Sequence, residues 1–507
     1  MARKPVIKRQ VRGFVLTWSV LTLMVAGLTF FGIYLTYSPT TADSDDIGSA
    51  AFPTATTALV VAQASPLATI APTDAPTEEP TQAPTDLPAV SSTPETAAES
   101  ATEDVSADTT ASVVVAQVVE TPTTEAAAVE AAQAQPSPLD SRAFELGIQV
   151  QIPPGGNRDE MDSWLSDVKN RLAMDWIKIQ VRWEDVETEP GVYDFELLQM
   201  ALRRASNKNV KVMLSIVTTP PWAREDGVDI ERHGPPADYQ DYVNFVVELM
   251  NQFPGKFQAI EVWNEQNLDR EWTSLRGLRA DDYVELLRQT YQAVKQVNPD
   301  MMVISGALST TGGCTNAQGQ ICAIDDFSYF DAMLDAGMLE YTDCVGAHHN
   351  GYNLNPLERW DEAVNDPAAT FRGPFDNPHH SWSFRSTLEY YATRIQAAGG
   401  EQQLCVTEFG WASGEDLEGV PAGWDYAVDN TLEEQRRWTI DAINLMVQSG
   451  TVRLAFVWNL NYGPQAGWSP TNDNVPYSII GPDFVHRPVF EALGEWGWSY
   501  KGGVPLE

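Results

Sequence analysis

From Phe144 onward, short apolar runs alternate with amphipathic stretches in a steady rhythm. This spacing predicts strands at 144–151, 175–183, 209–217, 257–264, 301–308, 343–349, 403–409 and 452–459. Helical periodicity fills the intervals, clearest at 238–253, 280–298 and 431–450, the last opening on Thr431 as N-cap and ending at Gly450. Strands alternating with helices in this way predict an α/β fold, a parallel sheet closed into a (β/α)8 TIM barrel. In the second run, DWIKIQVRW, Ile177, Ile179 and Val181 share one face, while Lys178, Gln180 and Arg182 share the other. The outer face of a helix-covered strand is apolar, so the polar face is expected to point into the barrel. There Lys178 and Arg182 need carboxylate partners, for which Glu261 and Glu145 are candidates.

The pattern changes upstream. Residues 1–12 form a basic tail, and an apolar run at 13–37, with no charged residue, follows it. It is long enough for a membrane-spanning signal-anchor, with the tail cytoplasmic and the remainder outside. Cleavage near Ala42, which would release a secreted chain, is the alternative reading. From 38 to 140 Thr, Pro, Ala, Ser and Val dominate, with Phe52 the sole aromatic residue and no Lys or Arg. Such a stretch cannot bury a core and is expected to be a disordered linker. The predicted folded domain is therefore 141–507.

A net charge of −38 argues against nucleic acid as a partner. Cys314 and Cys322 bracket a Gly- and Asn-rich loop and are expected to form a disulfide, whereas Cys344 and Cys405 read as buried free thiols. No CxxC pair or HxxxH spacing suggests a metal, and no cofactor is expected.

Chemistry concentrates at two strand ends. The run IEVWNEQN closes the fourth strand, and alternation would put Glu261, Trp263 and Glu265 on one side of it. The run CVTEFGWAS closes the seventh, with Glu408 in the place that Glu265 takes on the fourth. Strands four and seven face one another across an eight-fold barrel, so the two acids form the pair that glycosidic-bond cleavage needs.

On these runs, together with VRWEDVETEPGVYDF after strand two and FVWNL on strand eight, the whole of 141–507 resembles a clan of retaining glycoside hydrolases. That clan is built on (β/α)8 barrels with catalytic Glu on strands four and seven, and the local likeness is to its cellulase-like and β-xylosidase-like families. The resemblance implies that Glu265 is the acid/base, its proton held by a raised pKa, and that Glu408 is the nucleophile. It implies that Asn264 bonds the sugar 2-hydroxyl, that Trp458 floors the cleavage subsite, and that His348 stands where the clan often has a His. Both Lys178 and Arg182 match the clan's basic residue on strand two. Asn350 occupies the place of a Tyr that touches the nucleophile in the clan, and Tyr352 is a candidate substitute. Trp222, Trp263, Trp411, Trp424 and Trp468 are further candidates for stacking on sugar, set against plain core packing. His233, His379, His380 and His486 read as loop residues. Arg359, Arg372 and Arg385, in a long loop at 353–385, read as paired with local acids.

The expected function is a membrane-anchored glycosidase acting outside the cytoplasm on a poly- or oligosaccharide, with β linkages expected. Two alternatives stand beside it: a non-catalytic carbohydrate-binding surface protein on the same barrel, and an envelope-remodelling transglycosylase.

Overall fold

The computed structural model describes residues 144–503. The predicted basic tail, anchor and linker lie outside them. No helix among the described residues is long and apolar enough to cross a membrane.

Eight parallel strands form one sheet: β1 (Glu145–Gln149), β2 (Trp176–Arg182), β3 (Lys211–Val217), β4 (Ala259–Val262), β5 (Met302–Ser305), β6 (Val345–Gly351), β7 (Leu404–Trp411) and β8 (Val452–Val457). Their spatial order is β5-β4-β3-β2-β1-β8-β7-β6. Each is followed by a helix: α1 (Arg158–Ser166), α2 (Glu196–Asn207), α3 (Tyr239–Gln252), α4 (Ala280–Val297), α5 (Asp326–Asp335), α6 (Phe384–Ala397), α7 (Leu432–Ser449) and α8 (Pro488–Tyr500). The two outer strands meet at a thin seam. One parallel bridge, Ile304 to Cys344, joins β5 to the start of β6, and Gly346 N donates to Ser305 Oγ at 3.0 Å. The sheet is thus a closed barrel. Helix α7 has the predicted ends: Thr431 and Glu434 form a capping box, and Gly450 stops the helix at φ 66°.

The strands bury apolar side chains on both faces. Outward, Ile177, Ile179, Leu214, Ile216 and Ile260 join the helices in the main core. Inward, Trp176, Met213, Met302, Ile304, Leu454 and Phe456 plug the N-terminal end of the barrel. Cys344 and Cys405 belong to this plug and form a disulfide, with Cα atoms 5.7 Å apart. The expectation of free thiols fails because β6 and β7 are neighbours in space, although the two residues are 61 apart in sequence. The predicted Cys314–Cys322 disulfide is present and closes a small hairpin.

Candidate active site

Above the plug lies a charged layer. Lys178 is wholly buried, with Nζ 3.1 Å from Glu261 Oε2 and donating to Glu408 Oε1 at 2.9 Å. Burial pushes its pKa down, but the Glu261 and Glu408 charges outweigh that and hold it up at about 12. Glu261, equally buried, is held below the ordinary carboxylate value: Lys178, His348 and a hydrogen bond from Thr407 overcome its desolvation. Of the two partners expected here, Glu261 is therefore present and Glu145 is not, since Glu145 pairs with Lys211. Arg182 leaves the layer as well. It pairs with Glu184 and Asp185 at the rim, so the buried cation on β2 is Lys178.

Glu408 reaches this layer through a local irregularity. On β7, Ala347 pairs with Val406 but the next residue of β6, His348, pairs with Glu408. The extra residue is a β-bulge, and it lets two consecutive side chains, Thr407 and Glu408, turn inward. Thr407 Oγ1 donates to Glu261 at 2.5 Å while Glu408 meets Lys178.

Glu265 is placed by a different device. β4 ends at Val262, after which Trp263 and Glu265 both adopt left-handed backbone, at φ 74° and 47°. Such conformations cost on the order of 1–3 kcal/mol each and persist only where the surroundings enforce them. The kink sends Trp263 away from the barrel mouth to stack among Tyr242 and Trp272, correcting the alternation that put it beside Glu265. Glu265 is buried at the mouth, its backbone N–H donating to Ala307 O at 2.9 Å.

One imidazole spans the two acids. His348 Nδ1 is 3.2 Å from Glu265 Oε1, and Nε2 is 3.7 Å from Glu408 Oε1. Burial alone would lower the His348 pKa, but the Glu408 charge and the Glu265 hydrogen bond raise it. Glu265 moves the other way. Its burial is outweighed by His348 and by Arg270, whose Nη2 is 3.3 Å from Oε2, so its pKa is lowered. The expected raised acid is therefore not what this arrangement holds: the Glu265 pKa is lowered and that of His348 raised.

Asn264, Glu265, Glu408, Trp458 and Arg182 line one cleft. Asn264 Oδ1 is buried and finds no protein partner among the described residues. Trp458 is also buried, with its ring against Tyr462. Asn350, not Tyr352, touches Glu408, donating from Nδ2 to Oε2 at 3.3 Å. Tyr352 packs instead against Trp382 and Tyr426. Trp411 is buried against Phe384, with its Nε1 donating to Leu354 O, and Trp222 sits edge-on to Trp183. Tyr352 and Trp411 are packing residues, as is Trp424 in the cluster around Tyr426, whereas Trp222 is half-buried. Trp468 bonds Ile480 O and meets Phe484 edge-on. Arg359 and Arg385 share Glu389, and Arg372 pairs with Asp376, as expected.

The sequence reading missed Arg270, Glu271 and His233, which also line the cleft. Burial drives the Glu271 carboxyl up to about 7 despite Arg270. Burial and then Arg182, Arg224 and Arg270 drive His233 down to about 4. All three arrive on the segments after β3 and β4, where no periodicity marks them.

His349, next to His348, points the opposite way, edge-on to Phe384, and burial lowers its pKa to about 3. The unfolded chain protonates this residue near pH 6.5, so unfolding takes up a proton between there and pH 3. Its contribution to stability should then fall with acidity by about 1.4 kcal/mol per pH unit in that window. Replacing it in His349→Leu should flatten the dependence. Denaturant midpoints measured from pH 4 to 6 that change equally in both proteins would contradict this.

No protein-family model matches the chain, and no curated protein matches it by sequence. Solved structures do show similarity. One is a family 39 glycoside hydrolase from Bacteroides cellulosilyticus WH2, at 18% identity and a TM-score of 0.48, covering 70% of this chain and 63% of that one. A GH39 enzyme from Xanthomonas axonopodis pv. citri is 13% identical, with a TM-score of 0.49 and coverages of 70% and 66%. A GH39 β-xylosidase from Caulobacter crescentus is 15% identical, with a TM-score of 0.47 and coverages of 70% and 71%. The chain thus spans less than two thirds of the length of the first two.

Proposed function

We propose that this protein is a retaining glycoside hydrolase that cleaves O-glycosidic bonds of a poly- or oligosaccharide by double displacement. The observation that carries the reading is the pair Glu265 and Glu408, set on opposite walls of the barrel mouth yet both within reach of one imidazole. Two carboxyls at the ends of strands four and seven are the pair that glycosidic-bond cleavage needs, and the resemblance to retaining hydrolases assigns the attack to Glu408.

In this mechanism Glu408, held by Lys178 and Asn350, attacks the anomeric carbon and forms a glycosyl ester. His348 Nδ1 passes a proton to Glu265, which hands it to the leaving oxygen and is left ionised. The step balances in charge: as Glu408 becomes a neutral ester, the charge that raised the His348 pKa vanishes, and the imidazole releases its proton. Water then gives a proton to Glu265, which passes it back to His348, while the water oxygen attacks the anomeric carbon and Glu408 leaves as a carboxylate. Asn264 Oδ1 is placed to accept from a sugar hydroxyl, and Trp458 offers an apolar face in the same cleft.

The site is proposed to work outside the cytoplasm, on a chain anchored through 13–37 and held off by the linker. The basis is the sequence pattern together with the two disulfides, which persist in oxidising compartments. The test is a screen of β-linked glycosides and polysaccharides, with product anomers followed by proton NMR. Retained configuration at first turnover is the expected result. Inverted products would overturn double displacement, binding without turnover would favour the carbohydrate-binding alternative, and products longer than the substrate would favour the transglycosylase.

A further inference from the structure

The loop after β6 carries two successive imidazoles to an aspartate on the β5 side of the barrel. His380 Nε2 is 2.7 Å from Asp325 Oδ2, and His379 Nε2 is 3.7 Å from the same oxygen. One donor atom from each residue lies within 4.8 Å of the other two. Asp325 divides its carboxylate between two tasks. Oδ1 caps α5 by accepting from Ser328 N at 2.9 Å, which leaves Oδ2 facing the rings.

The groups behind these side chains orient them. His380 Nδ1 is 3.7 Å from Asp326 Oδ1, and Asp326 is wholly buried, gripped by Thr311 N–H and Tyr391 O–H, each at 3.2 Å. A small turn of the ring would bring Nδ1 into hydrogen-bond reach of Asp326, a carboxylate placed to hold the proton there and free Nε2 for a metal. Phe327 stacks on the His380 ring at 3.6 Å and fixes its plane. His379 Nδ1 accepts from Ser381 N–H at 3.3 Å and lies 2.9 Å from Ser381 Oγ, which holds the ring with Nε2 toward Asp325.

We propose that Asp325, His379 and His380 form a binding site for a divalent transition cation of the zinc type. Two imidazoles and one carboxylate suit zinc, with ligands at about 2.0–2.2 Å and a fourth position left to solvent on the side of the part-exposed His379. Binding replaces the His380–Asp325 hydrogen bond: the ring changes by exchange with solvent from the Nε2–H to the Nδ1–H form, and the freed Nε2 lone pair meets the ion. The ion clasps the long loop at 353–385 to the start of α5, apart from Glu265 and Glu408. Adjacent histidines joined to an aspartate 54 residues earlier match no metal-binding spacing, which is why the sequence suggested none.

The full chain, stripped with chelator, is titrated with zinc chloride by calorimetry and melted with and without zinc. One equivalent should bind and raise the thermal midpoint. In Asp326→Asn, affinity should fall roughly 10- to 100-fold. In His379→Gln, uptake at this site should be lost while the zinc-free midpoint changes little, because the His380–Asp325 bond survives and the Gln side-chain oxygen can accept from Ser381 N–H. Absence of uptake by the wild-type chain, or uptake undiminished in His379→Gln, would overturn the assignment.

Discussion

Replacing the strand-seven carboxylate in Glu408→Ala should reduce hydrolysis by at least about 10⁴-fold, the scale of losing a nucleophile from a concerted site. The reason is geometric as well as chemical. The bulge at Thr407 points Glu408 inward with Lys178 and Asn350 on separate oxygens, and no neighbouring group can take its place. Added azide should restore turnover and give a glycosyl azide of inverted configuration, since the vacated space admits a small anion. The companion change Glu265→Gln should cost about 10²–10⁴-fold on ordinary substrates, as for loss of a general acid. Aryl glycosides whose leaving group needs no proton should lose far less. Equal losses on both substrate types, or no rescue of Glu408→Ala, would reverse or remove these roles.

The second large effect is expected at Lys178. In Lys178→Met the two carboxylates it separates, Glu261 and Glu408, keep their burial and lose their cation. Breaking a buried pair from one side destabilises by about 3–5 kcal/mol, because the charge left behind is uncompensated. Protonation of the layer would relieve that stress, so the acid limb of the activity profile should move to higher pH, a change that simple loss of packing would not produce. Urea unfolding at pH 5 and pH 8 separates the cases: the deficit should shrink at the lower pH. A deficit independent of pH would mean that Lys178 contributes only volume.

The barrel was legible because its cause is periodic. Each strand has an apolar face toward a helix, and each helix has an apolar stripe toward the sheet, so Ile177, Ile179 and Val181 reveal their element without any partner being known. The polar face of the same strand was legible for the same reason, and Lys178 with Glu261 followed from it. What the pattern could not carry was anything set by a break in periodicity. The kink after Val262 reverses Trp263, and the bulge at Thr407 brings in Glu408 next to a residue that already faces inward. Cleft residues such as Arg270 and His233 come from irregular segments whose course depends on the completed barrel. The Cys344–Cys405 cross-link was hidden for a related reason, since strand order had to be known before the two sulfurs could be seen as neighbours.

The thin seam between β5 and β6 has a consequence for how the mouth can breathe. Elsewhere adjacent strands share three or more register pairs, but here one bridge joins the staves, helped by the bonds Asp343 N–H to Val303 O and Gly346 N–H to Ser305 Oγ. Local opening follows the weakest joint. The disulfide welds β6 to β7 and leaves β5 free of it, so His348 and Glu408 travel as one body. Glu265, on the β4 side, belongs to the other. Opening at this seam would therefore change the distance between Glu265 and Glu408, which stand on opposite sides of it.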